Sequence, residues 1–201
     1  MQKKTETELV LFDLDGTLTK KDTLIEVIRF IHGEYRLYIG AIVLSPFLIL
    51  YIFRIISSSK MKEKVITHFF GGMSIDAFQQ KCNRFAEIRL PTLLRRNAIS
   101  HLNKAKENGA KIIIVSASVE NWISHWCESN DLVCIATRLE IKNGRLTGKL
   151  VGKNCNGTEK VTRIKQAVNL SDYKTILGYG NSKGDLPMLK LATQVYYKAF
   201  Q

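Results

Sequence analysis

Two carboxylates, Asp13 and Asp15, stand two residues apart in the run FDLDGTLT, at the end of an apolar stretch and directly before a glycine. On an extended segment residues i and i+2 point to the same side, so the pair can face one small volume just beyond the strand's carboxyl end. That edge is where open α/β sheets bind ligands. Acids this close repel unless a cation lies between them or one is protonated, and hard oxygen donors of this kind suit magnesium. Gly16 allows a tight turn and leaves backbone amides free to meet phosphate oxygens. An EF-hand calcium loop would need further acidic ligands at later fixed positions, and Leu18, Lys20 and Lys21 do not supply them.

Three later stretches carry polar residues at apolar boundaries. KIIIVSAS places Ser116 after the apolar run Lys111 to Val115, KNCNGTEK places Lys160 near a helix start, and YGNSKGDLPML carries Asn181 and Asp185. Taken singly, each has an ordinary structural explanation. Ser116 can end its strand by bonding local backbone. Lys160 can be a solvated helix lysine, one of thirty basic residues. Asp185 can cap the helix opened by LPML, where a proline suits the first turn, or both cap it and serve a metal site. Trp122 and Trp126, four apart after Glu120 and Asn121, read as one apolar helix face. The four histidines, His32, His68, His101 and His125, share no ligand spacing. Cys82, Cys127, Cys134 and Cys155 match neither a metal knuckle nor a compact disulfide framework, which predicts buried thiols.

The elements that must position these groups follow from the apolar pattern. Strands are expected at Leu9 to Phe12, Lys111 to Val115, Val133 to Ala136 and Thr175 to Leu177, each a short aliphatic or β-branched run. Helices are expected over roughly 92–108, 119–129, 158–168 and 184–191. This alternation predicts an α/β fold, a parallel sheet covered on both faces. Asn143-Gly144 between two alternating runs predicts a hairpin. Residues 22–90 hold no convincing strand and read as helices interrupted by Gly33, Pro46, Gly71-Gly72 and Pro91, an insertion after the first strand.

Asp13, Asp15, Gly16 and Thr17, then Ser116, then Lys160, then Asn181 with Asp185, occur in the order of the four motifs of the haloacid dehalogenase superfamily of phosphohydrolases, which this chain resembles over nearly its whole length. Asn181 stands where an aspartate is usual. The resemblance implies a Rossmann-like core, residues 1–20 and 91–201, and an all-helical cap, residues 21–90. It implies Asp13 as a nucleophile carrying a transient aspartyl-phosphate and Asp15 as acid and then base. It implies a phosphate-binding set of Gly16, Thr17, Ser116, Ala117 and Lys160, and a Mg2+ site from Asp13, the backbone carbonyl of Asp15, Asn181 and Asp185. Within the superfamily the chain resembles subfamily IB, the group of phosphoserine phosphatase and the phosphatidylglycerophosphatase C type. SASVENW, NCNGTEK and GNSKGDLPML are similar to the second kind, which implies a phosphomonoesterase acting on a lipid-linked phosphate. A soluble small-metabolite phosphatase or a non-enzymatic membrane-binding module are the alternatives.

Between Arg36 and Arg54, residues 37–53 read LYIGAIVLSPFLILYIF without a charge. A straight helix of that length covers about 26 Å, short of a hydrocarbon layer of about 30 Å. A single crossing would also part Asp13 from Ser116, Lys160 and Asp185. The expectation is therefore a hairpin, broken at Pro46, that dips into a lipid surface, with packing inside the cap or in a homodimer interface as the alternative. Tyr35, Tyr38 and Tyr51 near its ends, with Arg36, Arg54, Lys60, Lys62 and Lys64, are what a headgroup region selects. The formal charge of +12 predicts attraction to an anionic membrane or a phosphorylated substrate. No recognition-helix pattern points to nucleic acid. The first twenty residues lack a signal-peptide pattern, since Val10 to Phe12 runs straight into Asp13 and Asp15, so the protein is expected in the cytoplasm, peripheral to the inner membrane.

Overall fold

The computed structural model describes residues 8–201. The first strand, β1 (Glu8–Phe12), is followed by helices α1 (Thr23–Ile52), α2 (Ser58–Phe70), α3 (Ile75–Arg84), α4 (Leu90–Leu93) and α5 (Arg96–Glu107) before the chain returns as β2 (Lys111–Val119). Then come α6 (Ser124–Ser129), β3 (Val133–Thr137), β4 (Leu139–Lys142), β5 (Arg145–Leu150), α7 (Thr158–Ala167), β6 (Thr175–Gly180), α8 (Leu186–Leu189) and β7 (Gln194–Tyr197). Five strands form a parallel sheet in the order β3-β2-β1-β6-β7, and β4 pairs with β5 as an antiparallel hairpin.

β1 lies at the centre because its residues are apolar on both faces, as a strand covered on both sides must be. Val10 and Phe12 pack with Ile112 and Ile114 on one face, while Leu9 and Leu11 join Ile113, Val115, Ile164 and Met188 on the other. The chain leaves β1 toward β2 on one side and β6 on the other, so the carboxyl end of β1 is a topological switch point. Asp13 stands there, its amide donating to the Tyr179 carbonyl at 2.9 Å.

Several elements depart from the pattern read in the sequence, each for a local reason. β2 does not stop at Val115. It runs to Val119 with a register shift against β3, so Ser116 and Ser118 lie within the strand. The helix expected over 92–108 is interrupted at Leu94, where Thr19 bridges Leu94 and the Arg95 amide donates to the Leu18 carbonyl at 2.8 Å. The segment 119–129 is a short turn followed by α6. β7 has no counterpart in the expected elements. The hairpin forms as expected, with Asn143 and Gly144 both at positive φ (50° and 70°), the geometry that favours Asn-Gly.

The apolar stretch is not split at Pro46. Proline removes the amide that would bond the Ile42 carbonyl four residues back, and the Ser45 hydroxyl donates to that same carbonyl at 2.7 Å, so the helix continues. The break falls instead at Gly33, whose φ of 81° and ψ of 168° suit only glycine. Beyond it, residues 34–52 form one helix lying along α2. Gly40 lets it approach the Phe69 ring, and the Lys64 ammonium sits 4.7 Å from the Phe47 ring centre. Leu37 and Leu44 are buried toward α2, whereas Tyr35, Ile39, Ile42, Ile49 and Phe53, on the opposite stripe, are exposed, Ile42 by 72% and Phe53 by 73%.

Candidate active site

A cavity of about 390 Å³ opens at the carboxyl end of β1. Its floor is an ionic cluster. The Lys160 ammonium donates at 2.7 Å each to Asp13 Oδ1, Asp185 Oδ1 and the Val115 carbonyl. The side chain is only 1% exposed, so it is no solvated helix lysine. Burial works against its charge, but Asp13 and Asp185 outweigh that and hold its pKa above the ordinary value. Asp185 is also buried, and the charge of Lys160 with hydrogen bonds from Lys160 and Ser182 keeps its carboxyl below the ordinary value. Asp185 makes no side-chain cap to α8. Its Oδ2 reaches backward instead, accepting from the Asn181 amide (3.1 Å), the Ser182 amide (2.9 Å) and the Ser182 hydroxyl (2.7 Å).

Asp13 Oδ2 accepts from the Thr17 hydroxyl at 2.9 Å, and burial raises the Asp13 pKa against the pull of Lys160. Asp15 lines the same cavity but its carboxylate turns toward the insertion and β2. Oδ1 accepts from the Thr23 amide at 2.7 Å, and Oδ2 accepts a short bond from the Ser118 hydroxyl. Burial, with the negative charge of Asp22, pushes its pKa up to about 7. The two neighbouring acids thus sit in different surroundings, Asp13 against a lysine and Asp15 against hydroxyl and amide donors. Burial raises both carboxyl groups, but only Asp13 has an ammonium in contact to oppose it.

The remaining residues singled out by sequence fall in and around this cavity. Ser116 is fully buried and its Oγ accepts from the Ser118 amide at 2.9 Å, while Ala117 and Ser118 form the wall. Gly16, at φ 79°, turns the loop, but its amide is not left free, since it donates to Thr19 Oγ1 at 3.3 Å. A side chain at residue 16 would collide with the Asn181 amide, which places Asn181 directly against this loop. Trp122 and Trp126 are both buried in the apolar core but do not share one helix, since Trp122 lies in the turn before α6; Trp122 also donates to Thr23 Oγ1 at 3.1 Å and borders the cavity.

Ser118, Thr23, Tyr51 and Lys62 stand at the cavity without having been singled out for it. Ser118 had a signal in SAS, two residues beyond Ser116 and so on the same side of an extended strand. Lys62 had none, because its place depends on how α2 folds back. All four cysteines are free thiols.

The oxygen donors suit a hard divalent cation. Asp13 and Asp185 lie close enough to share one ammonium, and Asn181 adds an amide oxygen beside the loop of Asp15. Among the described residues no cluster of three Asp, Glu, His or Cys side chains forms.

Residues 10–190 match the family described as haloacid dehalogenase-like hydrolase. Protein CicA of Caulobacter vibrioides is 34% identical over 196 residues, 96% of this chain and 86% of that protein. A protein of unknown function from Bordetella pertussis Tohama I superposes with a TM-score of 0.79 at 20% identity, covering 94% of this chain and 88% of that one. A phospho-aspartyl intermediate analogue of phosphoserine phosphatase superposes with a TM-score of 0.59 at 21% identity, covering 94% and 85%. At these identities the two solved structures establish the shared fold.

Proposed function

The chain belongs to the haloacid dehalogenase-like hydrolases, and we propose that it is a Mg2+-dependent phosphomonoesterase working through an aspartyl-phosphate on a lipid-linked substrate such as phosphatidylglycerophosphate. The observation that carries the chemistry is the convergence of Asp13, Lys160 and Asp185 at the carboxyl end of the central strand. Asp13 attacks phosphorus and the ester oxygen departs with the proton of Asp15, whose pKa of about 7 leaves it able both to give and to take a proton near neutrality. Asp15 then takes a proton from the water that splits the acyl phosphate, releasing inorganic phosphate and restoring Asp13. Lys160 holds positive charge where the equatorial oxygens gather negative charge. Asp13, Asp185, the Asn181 amide oxygen and the Asp15 carbonyl would hold Mg2+. When bound, that ion offsets the negative charge of the phosphoryl group.

The exposed stripe of α1 supports the lipid part of the proposal. Tyr35, Tyr38, Ile39, Ile42, Val43, Ile49, Ile52, Phe53 and Ile55 are all exposed, too large an apolar face for a solvated surface. Its occupant is the anionic inner face of a membrane, to which the flanking Arg36, Arg54, Lys60 and Lys64 and the charge of +12 are complementary. The helix packs along α2, whose Lys62 reaches the core, which supports contact with the bilayer through the open face of the helix.

Phosphate release from phosphatidylglycerophosphate in mixed micelles, with Mg2+ and with EDTA, tests the proposal. Turnover is expected only with the metal and is expected to fall at least about a thousandfold in Asp13→Asn. Full activity in that variant overturns the mechanism, and turnover of soluble esters alone overturns the lipid substrate.

A further inference from the structure

Lys62 is the second ammonium at the cavity, and it comes from the insertion rather than the sheet. Its Nζ donates to the Ala117 carbonyl and to Asn154 Oδ1, both at 2.7 Å, so α2 is pinned across the mouth of the site. Both acceptors are neutral. Among the described residues no carboxylate lies within ion-pair distance of Lys62, whereas Lys160 is fully committed to two acids and a carbonyl. An ammonium of this kind has three donors, and two of those on Lys62 are used. Burial brings its pKa down to about 8, although the charges of Asp15 and Asp22 across the cavity pull the other way without bonding it. Tyr51, at the inward end of the apolar helix, lines the same wall. One cavity is therefore lined by the ionic cluster of Asp13, Lys160 and Asp185, by Lys62, and by Tyr51 of the helix that carries the apolar stripe.

We propose that Lys62 recognises a second oxyanion on the substrate, a phosphodiester or carboxylate a few bonds from the phosphomonoester, and so selects substrates with two separate anionic groups over simple phosphate esters. The proposal rests on the phosphomonoesterase reading of the site and names what that site admits. A lipid phosphodiester and a free metabolite's carboxylate offer Lys62 the same chemistry, an oxyanion.

Steady-state kinetics on soluble esters separates these cases without a membrane. The probes are glycerol 3-phosphate, with no second anion, the deacylated headgroup glycerophosphoglycerophosphate, with a phosphodiester, and phosphoserine, with a carboxylate. The wild-type protein is expected to favour at least one two-anion ester over glycerol 3-phosphate by roughly ten- to a hundredfold in kcat/KM, carried mainly by KM, the scale of one charge-assisted hydrogen bond. Lys62→Met is expected to collapse that ratio, and Lys62→Arg to keep most of it. A residue that only pinned α2 would lower all substrates alike and leave the ratio unmoved. An unchanged ratio in Lys62→Met, or a wild-type protein without preference, overturns the proposal, and the wild-type comparison decides even if Lys62→Met fails to fold. Preference for the phosphodiester names a lipid headgroup, and preference for the carboxylate names a soluble metabolite. If no ester is hydrolysed while Asp13→Asn is equally silent, it is the phosphomonoesterase reading that has failed.

Discussion

At the scale of single residues, the site separates two chemically identical groups by what surrounds them. Asp13 meets an ammonium, and Asp15 meets hydroxyl and amide donors under the influence of Asp22. With its pKa at about 7, Asp15 is protonated below that pH and able to donate to a departing alkoxide. The expected pH profile of kcat for an alkyl phosphate therefore falls as pH rises through about 7, approaching tenfold per unit. An aryl phosphate, whose leaving group needs no proton, should show a flatter limb. Parallel profiles for the two esters would remove Asp15 from the acid role. Asp13 was visible in the sequence because it follows an apolar strand beside a second acid and a glycine, whereas Lys160 and Asp185 were legible only through the order of the superfamily's motifs, since singly each has an ordinary surface or capping explanation. Thr23 and Ser118 were harder to see, since their partnership with Asp15 spans separations of 8 and 103 residues.

At the scale of elements, the strands of the sheet are legible because burial on both faces demands continuous apolar runs. β7 is not, because it is a short edge strand in which Val195 and Tyr197 remain exposed. The apolar stretch shows how a local rule yields to a neighbour. Pro46 marks a break in the sequence, yet Ser45 supplies the missing donor to Ile42, and the break moves to Gly33, where the backbone geometry requires glycine. The result is one long helix with a partnered face and an open one. Ile42→Glu with Ile49→Glu changes only the open face, so thermal stability should move little. Co-sedimentation with vesicles rich in phosphatidylglycerol should drop by tenfold or more, on the order of two charges set against apolar burial. Undiminished sedimentation would assign the stripe to another partner, including a second copy of the chain.

At the scale of the whole molecule, the two ends of the insertion are held to each other by charge as well as by packing. Glu26 on α1 is buried and bonds Arg89, ahead of α4, through Nε at 3.0 Å, and it also pairs with Arg29 and Lys21. Burial opposes its charge, but the arginines more than compensate and keep its pKa below the ordinary value. Glu26→Gln strands two partly buried guanidinium groups and is expected to cost about 3 kcal/mol. That corresponds to a fall in Tm of about 6–12 °C, readable by calorimetry. A loss under one degree would show that apolar contacts alone hold the two ends of the insertion together.

The insertion also begins and ends at adjoining points. The Lys20 amide donates to the Leu93 carbonyl, the Arg95 amide to the Leu18 carbonyl, and Thr19 bridges Leu94 between them. The segment that tunes admission thus enters and leaves through a two-stranded neck, with further backbone bonds to the β4–β5 hairpin, while the reactive carboxylates stay on the other side of the neck. Such a module can be exchanged between paralogues like a tool head on a common handle. A chimaera joined at this neck should inherit its preferences from the donor and its hydrolytic step from the recipient.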